Sequence, residues 1–468
     1  MKPATIRSIV FLSFALPFCG FADGVPAQGA LKAEMGTNLV AARMGQSVAS
    51  LPGGKIAVFG GHGPGFVTLN TAELYDPIAG AFASRTMNFG HDSPGVFARL
   101  KDGRYLIGGG SSDLGIPAYA TCEIYDPTAD TFTPTGSMVR FRSLGGACTL
   151  TDSRVLVAGG WWNHNDAYSY GELFDPATGQ FSATGPLNQA RAWACVLPTT
   201  DGKAVVVGGV GYTGGTIAPT PELYDPQNNT FTKIADDLFE GEPGWTILGP
   251  ANVIDETQLS DGRYLLLGYR AVNGVTVYRL IVFDPATKTF AKLTTTPDLP
   301  DSQTMAWYAP LLNASKTVAY LPGYSATDSS QLNICRVDLT TGNITMPATP
   351  VAKPQAYSFY GSTFSLVKEG QIMVVGGTTG DNFGALPNTM FLTLTSSDTG
   401  PLLSLAMYAG INISGTVGDT YRIDYAADPS PASWTPLTNI TLAVSPYLFI
   451  DVSSTNAVHR YYRAEKTL

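Results

Sequence analysis

Seven short apolar runs, each ending at a glycine, divide most of the chain. They are "KIAVFGG" (55–61), "RYLIGGG" (104–110), "RVLVAGG" (154–160) and "KAVVVGG" (203–209), then the weaker "RYLLLGY" (263–269), "TVAYLPGY" (317–324) and "QIMVVGG" (371–377). Apolar runs this short, bounded by turn residues, predict strands rather than helices. Polar turns such as "PGGK", "KDGR", "TDSR" and "TDGK" precede the first four, which predicts a tight hairpin from an earlier strand. After each Gly-Gly comes a variable loop and then a second recurring stretch: "AELYDPIAGAF" (72–82), "CEIYDPTADTF", "GELFDPATGQF", "PELYDPQNNTF" and "LIVFDPATKTF". Proline after Asp76, Asp126, Asp175, Asp225 and Asp284 has the fixed φ that suits the second position of a type I turn. The fourth residue after each Asp is Gly80, Asp130, Gly179, Asn229 or Lys288. With Gly342 after the degenerate Asp338, these predict a left-handed bulge that closes the turn. An outer strand follows, carrying Phe82, Phe132, Phe181, Phe231 or Phe290. Each unit is therefore read as four antiparallel strands.

An apolar run, Gly-Gly, a variable loop, Glu-Leu-Tyr-Asp-Pro and an outer aromatic at a period of about 50 residues resemble the kelch repeat. The resemblance spans roughly 30–397 and implies an all-β fold, a seven-bladed kelch-type β-propeller over 23–397. The seventh unit, "YSFYGSTFSLV" to "NTMFLTLT", runs into "SSDTGP" without an outer strand. The missing strand stands at the other end, where "GALKAEMGTNLVAAR" (29–43) is similar to "DTFTPTGSMVRFR" (130–142) and "GQFSATGPLNQAR" (179–191). The N-terminal strand is thus expected to close the last blade. Beyond Pro401 the pattern changes to alternating apolar runs around Tyr421, Trp434 and "RYYR". About six short strands in a small β-sandwich are expected over 402–468. This stretch resembles the fibronectin-like modules that end many secreted bacterial proteins.

With 51 Gly, 32 Pro and only 14% charged residues in 468, the composition suits a turn-rich β protein. A net charge of −9 excludes nucleic acid as a partner. Lys2 and Arg7 before "SIVFLSFALPF", with Gly20 and Ala22 following, read as a signal peptide over 1–22, cleaved after Ala22. The mature chain is then secreted or periplasmic, without a transmembrane segment, and is read as a monomer. Cys122, Cys148, Cys195 and Cys335 show no CxxC spacing, so no zinc site is expected. They are read as buried small hydrophobes, although export permits a disulfide.

Strand alternation places the Gly-Gly loops and the connections between units on one face, where binding residues collect. Three groups there are candidates. Arg43, His91, Arg142 and Arg191 occupy equivalent positions just before the innermost strands. They could ring a channel mouth and hold a carboxylate or phosphate, or pair locally to fix the connections. Trp193, Trp245, Trp307 and Tyr357 lie in the same region, and Trp161 and Trp162 follow a Gly-Gly. Exposed, they would stack on sugars or anchor a protein; buried, they would pack between units. Asp236, Asp237, Glu240, Glu242, Asp255 and Glu256 form an acidic insertion without a calcium-loop spacing.

"GVGYTG" (209–214) fits a dinucleotide fingerprint, but the prolines and strand that follow leave no helix to receive phosphates. Galactose oxidases carry a similar propeller, and their copper site implies two His and two Tyr, one Tyr followed directly by His. No Tyr-His pair occurs among His62, His91, His164 and His459. No metal or cofactor is therefore expected. The reading is an exported, non-catalytic protein whose loop face binds carbohydrate or an extracellular protein. The alternative is a carbohydrate-active enzyme, an epimerase, mutarotase or oxidase-like protein, working with the Arg/His row and Asp255 or Glu256.

Overall fold

The computed structural model describes residues 30–467 apart from 112–118, 164–165, 212–219, 240–241, 249–252, 273–274, 294–298, 300–304, 326–327, 329, 348, 355–360, 379–383, 396–408, 415, 427–433, 446 and 452–460. The signal-peptide reading and Tyr357 lie outside these residues. The chain divides into two compact units, Met1–Asp398 and Thr399–Leu468.

The first unit is all-β. Its first sheet runs Ser47–Ser50, Ile56–Phe59, Thr71–Asp76 and Ala81–Thr86 in chain order, each strand antiparallel to the last. Sheets beginning at Val96, Gly146, Cys195 and Thr246 repeat this order. In the sixth sheet the innermost strand is split into Met305–Trp307 and Leu311–Leu312, both paired with Val318–Ser325. Pro310 falls in the gap, where a residue without an N–H cannot continue the ladder. The last sheet takes Thr363–Lys368, Gln371–Val375 and Thr389–Thr395 from its own repeat. Its outer strand is Ala30–Met35, paired antiparallel from Ala30↔Thr395 to Met35↔Met390.

Local chemistry explains why the Asp-Pro stretch recurs. Asp76 Oδ1 accepts the Ile78 and Ala79 N–H groups, and Gly80 N donates to Asp76 O at 2.8 Å. Asp126, Asp284 and Asp338 cap their turns in the same way. The bulge position is left-handed at Gly80, Asp130, Gly179, Asn229, Lys288 and Gly342. Across each hairpin the Tyr or Phe before Asp faces the outer Phe, as in Tyr125–Phe132 with ring centroids 4.7 Å apart. These rings fill the space between neighbouring sheets.

The Gly-Gly pairs have a different cause. A Cβ on Gly60 would lie 2.0 Å from His91 O, and one on Gly159 2.0 Å from Arg191 O. The first glycine is where the next sheet's incoming chain passes against this one. The second glycine donates to that chain: Gly61 N to His91 O, Gly110 N to Arg142 O and Gly160 N to Arg191 O, at 2.7–2.9 Å. Gly377 N donates to Arg43 O in the same manner, joining the last sheet to the first.

The second unit has two sheets among its described residues. Ala409–Ile413 pairs with Tyr447–Asp451, and Thr420–Ala426 lies between Thr435–Thr441 and Tyr461–Lys466. Ile413, Ile423 and Leu442 form its core. Asp424 is almost fully buried beneath Arg422 and Arg463, and Arg463 also covers Trp434.

No helix among the described residues is long and apolar enough to cross a membrane. Cys122, Cys148, Cys195 and Cys335 are unpaired and buried, and burial pushes the thiol of Cys122 up to about 12 and that of Cys335 likewise.

Candidate functional site

The connection into each of the first four sheets crosses over the sheet it is about to start, and a glutamate on that sheet's third strand holds it. Glu172 accepts Val139 N at 2.6 Å and Arg140 N at 3.1 Å. Glu73 takes Val40 and Ala41, Glu123 takes Asn88 and Phe89, and Glu222 takes Asn188 and Gln189. The same carboxylates receive the row of cations. Arg43 Nη2 lies 2.6 Å from Glu73, Arg142 Nη2 2.5 Å from Glu172 and Arg191 Nη2 2.7 Å from Glu222. His91 Nε2 is 3.3 Å from Glu123, and its Nδ1 is 2.8 Å from Gly109 O. The second terminal nitrogen of each arginine reaches a Gly-Gly carbonyl, at Gly60, Gly159 or Gly208.

This corrects the channel-mouth expectation. Arg43, Arg142 and Arg191 have no exposed surface and His91 almost none, so the row holds the connections in place and offers no cation to a ligand. Burial pushes the Arg43 and Arg191 guanidinium values down, opposed by their glutamates. The fifth sheet shows the same geometry without charge. Ile281 stands where the glutamate does, and Ile247 O lies against Gly208 as the cation's carbonyl does elsewhere. Ile247 and Ile281 share one core cluster.

Two residues beyond each cation the backbone turns left-handed: Gly45 (φ 69), Ser93 (φ 48), Leu144 (φ 54) and Trp193 (φ 56). Their main chains form a belt. Gly45 N donates to Gly361 O, Ser93 N to Gly45 O, Leu144 N to Ser93 O and Trp193 N to Leu144 O, at 2.8–3.1 Å. The side chains at these positions mark the rim where the innermost strands begin.

The aromatic candidates separate on this frame. Trp193 is on the rim, 46% exposed, with its ring edge-on to Trp161 at 4.6 Å. Trp161 is half-buried, and its indole N–H has no acceptor among the described residues. Trp245 and Trp307 are buried at 0% and 3%, which corrects their assignment as ligand contacts. Trp245 fills the core between Arg279 at 4.3 Å and Arg270 at 4.9 Å. Trp162 lies on the strand Trp161–Asn163.

Sequence reasoning passed over a second group on the connection into the third sheet. An open cleft of ≈ 500 Å³ is lined by Val139, Arg140, Phe141 and Tyr168. Tyr168 stands edge-on to the exposed Tyr170 at 6.0 Å, and Arg140 lies 4.3 Å over the Tyr170 ring. No periodic signal in "VRFR" (139–142) separates the two arginines: Val139, Arg140 and Phe141 are all exposed and only Arg142 is buried.

The acidic insertion does not converge on a cation. Asp236 pairs with Lys233, Asp237 accepts Gly244 N, and Glu242 is clasped by Lys292, Arg279 and the Trp245 indole. Glu240 lies outside the described residues. Asp255 and Glu256 stand at the far end of the innermost strands, where Glu256 accepts Ser50 N at 2.8 Å. Ser47–Ser50 spans about 13 Å at strand rise, so these acids cannot work together with the Arg/His row. Burial raises the Asp255 carboxyl, opposed by Arg99 and Lys316.

Hydrogen bonds from Lys292 and Arg279 hold the Glu242 carboxyl down at about 2. An unfolded Glu titrates near 4.3. The clasp therefore stabilises fully above about pH 4.3, and its contribution fades as pH falls toward about 2. Unfolding midpoints of the wild type and Glu242→Gln are expected to differ near neutral pH and converge across that acid window. A constant difference throughout would contradict the assignment.

No protein-family model matches the chain, and no curated protein matches it in sequence. Solved structures do match. A fungal alcohol oxidase of the AA5 family, in complex with copper, is 15% identical with a TM-score of 0.53, covering 94% of this chain and 97% of that one. At that identity the likeness shows the fold alone. The first unit's four-stranded sheets are those of a β-propeller fold.

The described residues do not fit a copper centre. His62 Nδ1 is 2.8 Å from Asp92 Oδ2, off the direction of a ring N–H, and His91 is held by Glu123 and Gly109. No three His, Cys, Asp or Glu side chains converge among the described residues. His164 and His459 lie outside them.

Proposed function

We propose that the chain is an exported, non-catalytic carbohydrate-binding protein. In this reading the sheets form a seven-bladed ring closed by the N-terminal strand. The ligand lies on the loop face of the third and fourth blades, and the C-terminal unit is a small β-sandwich serving as spacer or attachment. One observation carries it: a rim position occupied elsewhere by Gly45, Ser93 and Leu144 carries Trp193, half exposed in a left-handed backbone and buttressed by Trp161. A bulky residue at positive φ costs backbone free energy, and such strain collects at functional sites. An indole face presented rigidly at low entropic cost suits stacking on a sugar ring.

A second reading, an oxidase-like enzyme, is favoured by the fold shared with the AA5 alcohol oxidase. Its chemistry would require ligands that the described residues do not bring together. Both readings are tested by incubating the mature chain (23–468) with a panel of soluble and polymeric glycans, with and without copper, and measuring binding and peroxide release. Saturable binding without peroxide is the expected result. Peroxide release would establish the oxidase reading instead. Absence of any glycan binding would overturn the carbohydrate assignment and leave an extracellular protein as the ligand.

A further inference from the structure

We infer that the open cleft lined by Arg140 and Tyr168 selects sugars carrying a carboxylate, with Arg140 as the group that receives it. The inference rests on the carbohydrate reading and narrows it to uronate-bearing glycans.

Arg140 is exposed, and its guanidinium makes no hydrogen bond or ion pair among the described residues. The exposed Arg99 is likewise without an ion pair among the described residues, whereas other arginines of the propeller repeats are paired. Arg104, Arg154 and Arg263 each clasp the aspartate two residues earlier (Asp102, Asp152 and Asp261), and Arg85 reaches Asp130. Partners are not scarce in a chain with 37 acidic and 28 basic residues. Arg140 pairs with none of the described acidic side chains. Its backbone N–H is fixed on Glu172, as is that of Val139, and its guanidinium carbon lies over the Tyr170 ring, 4.3 Å from the centroid. Stacking of this kind sets the plane of the guanidinium while leaving the N–H groups at its edge available.

The other described residues that line the cleft are uncharged. Val139 and Phe141 form one exposed apolar edge, and Tyr168 stands between the cleft and the buried Arg142, whose guanidinium is 5.6 Å from its ring. The site therefore offers aromatic and apolar surface for the face of a pyranose together with one oriented fork. A planar carboxylate matches that fork with two parallel hydrogen bonds. A neutral hexose offers only single hydroxyl acceptors, and Arg140 would gain little over its contacts with water.

The test is binding of the full mature chain to oligogalacturonate, to its methyl ester, to a neutral galactan oligosaccharide and to a sulfated galactan oligosaccharide. Wild type is expected to bind the free acid about tenfold or more tighter than the ester, as one charge-assisted bidentate pair implies. Arg140→Gln is expected to bring that ratio close to one, mainly by weakening binding of the free acid. Arg140 is on the surface, so an unchanged unfolding midpoint will show that the variant folds. Tyr170→Ala, which frees the guanidinium, is expected to weaken selectivity without abolishing it.

Equal affinity of wild type for acid and ester would overturn the inference, as would an unchanged ratio in Arg140→Gln. Sulfated galactan bound as tightly as the uronate would also overturn it, reducing the preference to charge alone. In each of these cases glycan binding itself persists. Loss of the underlying carbohydrate reading would be separately visible as no binding to any of the four sugars.

Discussion

Glu172→Ala is expected to lower the free energy of unfolding by about 3–5 kcal/mol, the range for removing one partner of a buried ion pair. The carboxylate does three things at once. It neutralises Arg142, which has no exposed surface, and it accepts the main-chain N–H groups of Val139 and Arg140. Alanine would leave a buried guanidinium unpaired, with Nε already without a partner, and two peptide donors unsatisfied. The pair as a whole is worth much less than its rupture suggests. The fifth sheet does without it, with Ile281 in place of the glutamate. A double replacement, Arg142→Met with Glu172→Leu, is accordingly expected to recover most of the loss. Urea unfolding of the three proteins measures this. A single-mutant loss below about 1 kcal/mol would mean that the row of cations is not the scaffold described here.

Deletion of residues 30–38 is expected to abolish the soluble monomer. Ala30–Met35 is the outer strand of the sheet that ends in Thr389–Thr395, with Leu31 buried in that sheet's core. Leu39, just beyond the deletion, packs with Val48, Tyr75 and Met373, so it spans the first and last sheets of the unit. Removing the strand uncovers a row of unpaired N–H and C=O groups beside apolar side chains, an edge that pairs with other chains. Gel filtration is expected to show aggregates, and a synthetic peptide covering 28–41, added during refolding, is expected to restore monomer. A deletion variant that remains monomeric with an unchanged melting point would show that closure contributes little.

The architecture was legible because it is written locally and repeatedly. Asp76 caps its own turn within three residues, and the bulge position four residues on accepts only what a left-handed backbone tolerates. The glutamates were visible in the same repeated stretch, but their task was not. Glu73 meets Arg43 across thirty residues of chain, a distance at which sequence shows neither partner pointing at the other. One internal sign existed: the first four repeats carry both the cation and the glutamate, and the fifth carries neither.

The aromatic site was half legible for a related reason. Trp193 and Trp245 occupy similar places in the sequence, yet one is on the rim and the other in the core. Glu242 from the insertion before the fifth sheet and Arg279 from that sheet's third strand cover Trp245 and shut it in. Arg140 went unnoticed beside Arg142 because which of the two turns in to Glu172 depends on how the crossing chain lies over the sheet. That is decided by tertiary packing.

The most direct test is a calorimetric titration of wild type and Trp193→Ala with the best glycan from the panel. A rim tryptophan that carries the ligand is expected to cost roughly tenfold to thirtyfold in affinity on truncation, with the unfolding midpoint unchanged because the side chain faces solvent. Equal affinity in the two proteins would contradict the account and place the ligand elsewhere on the molecule.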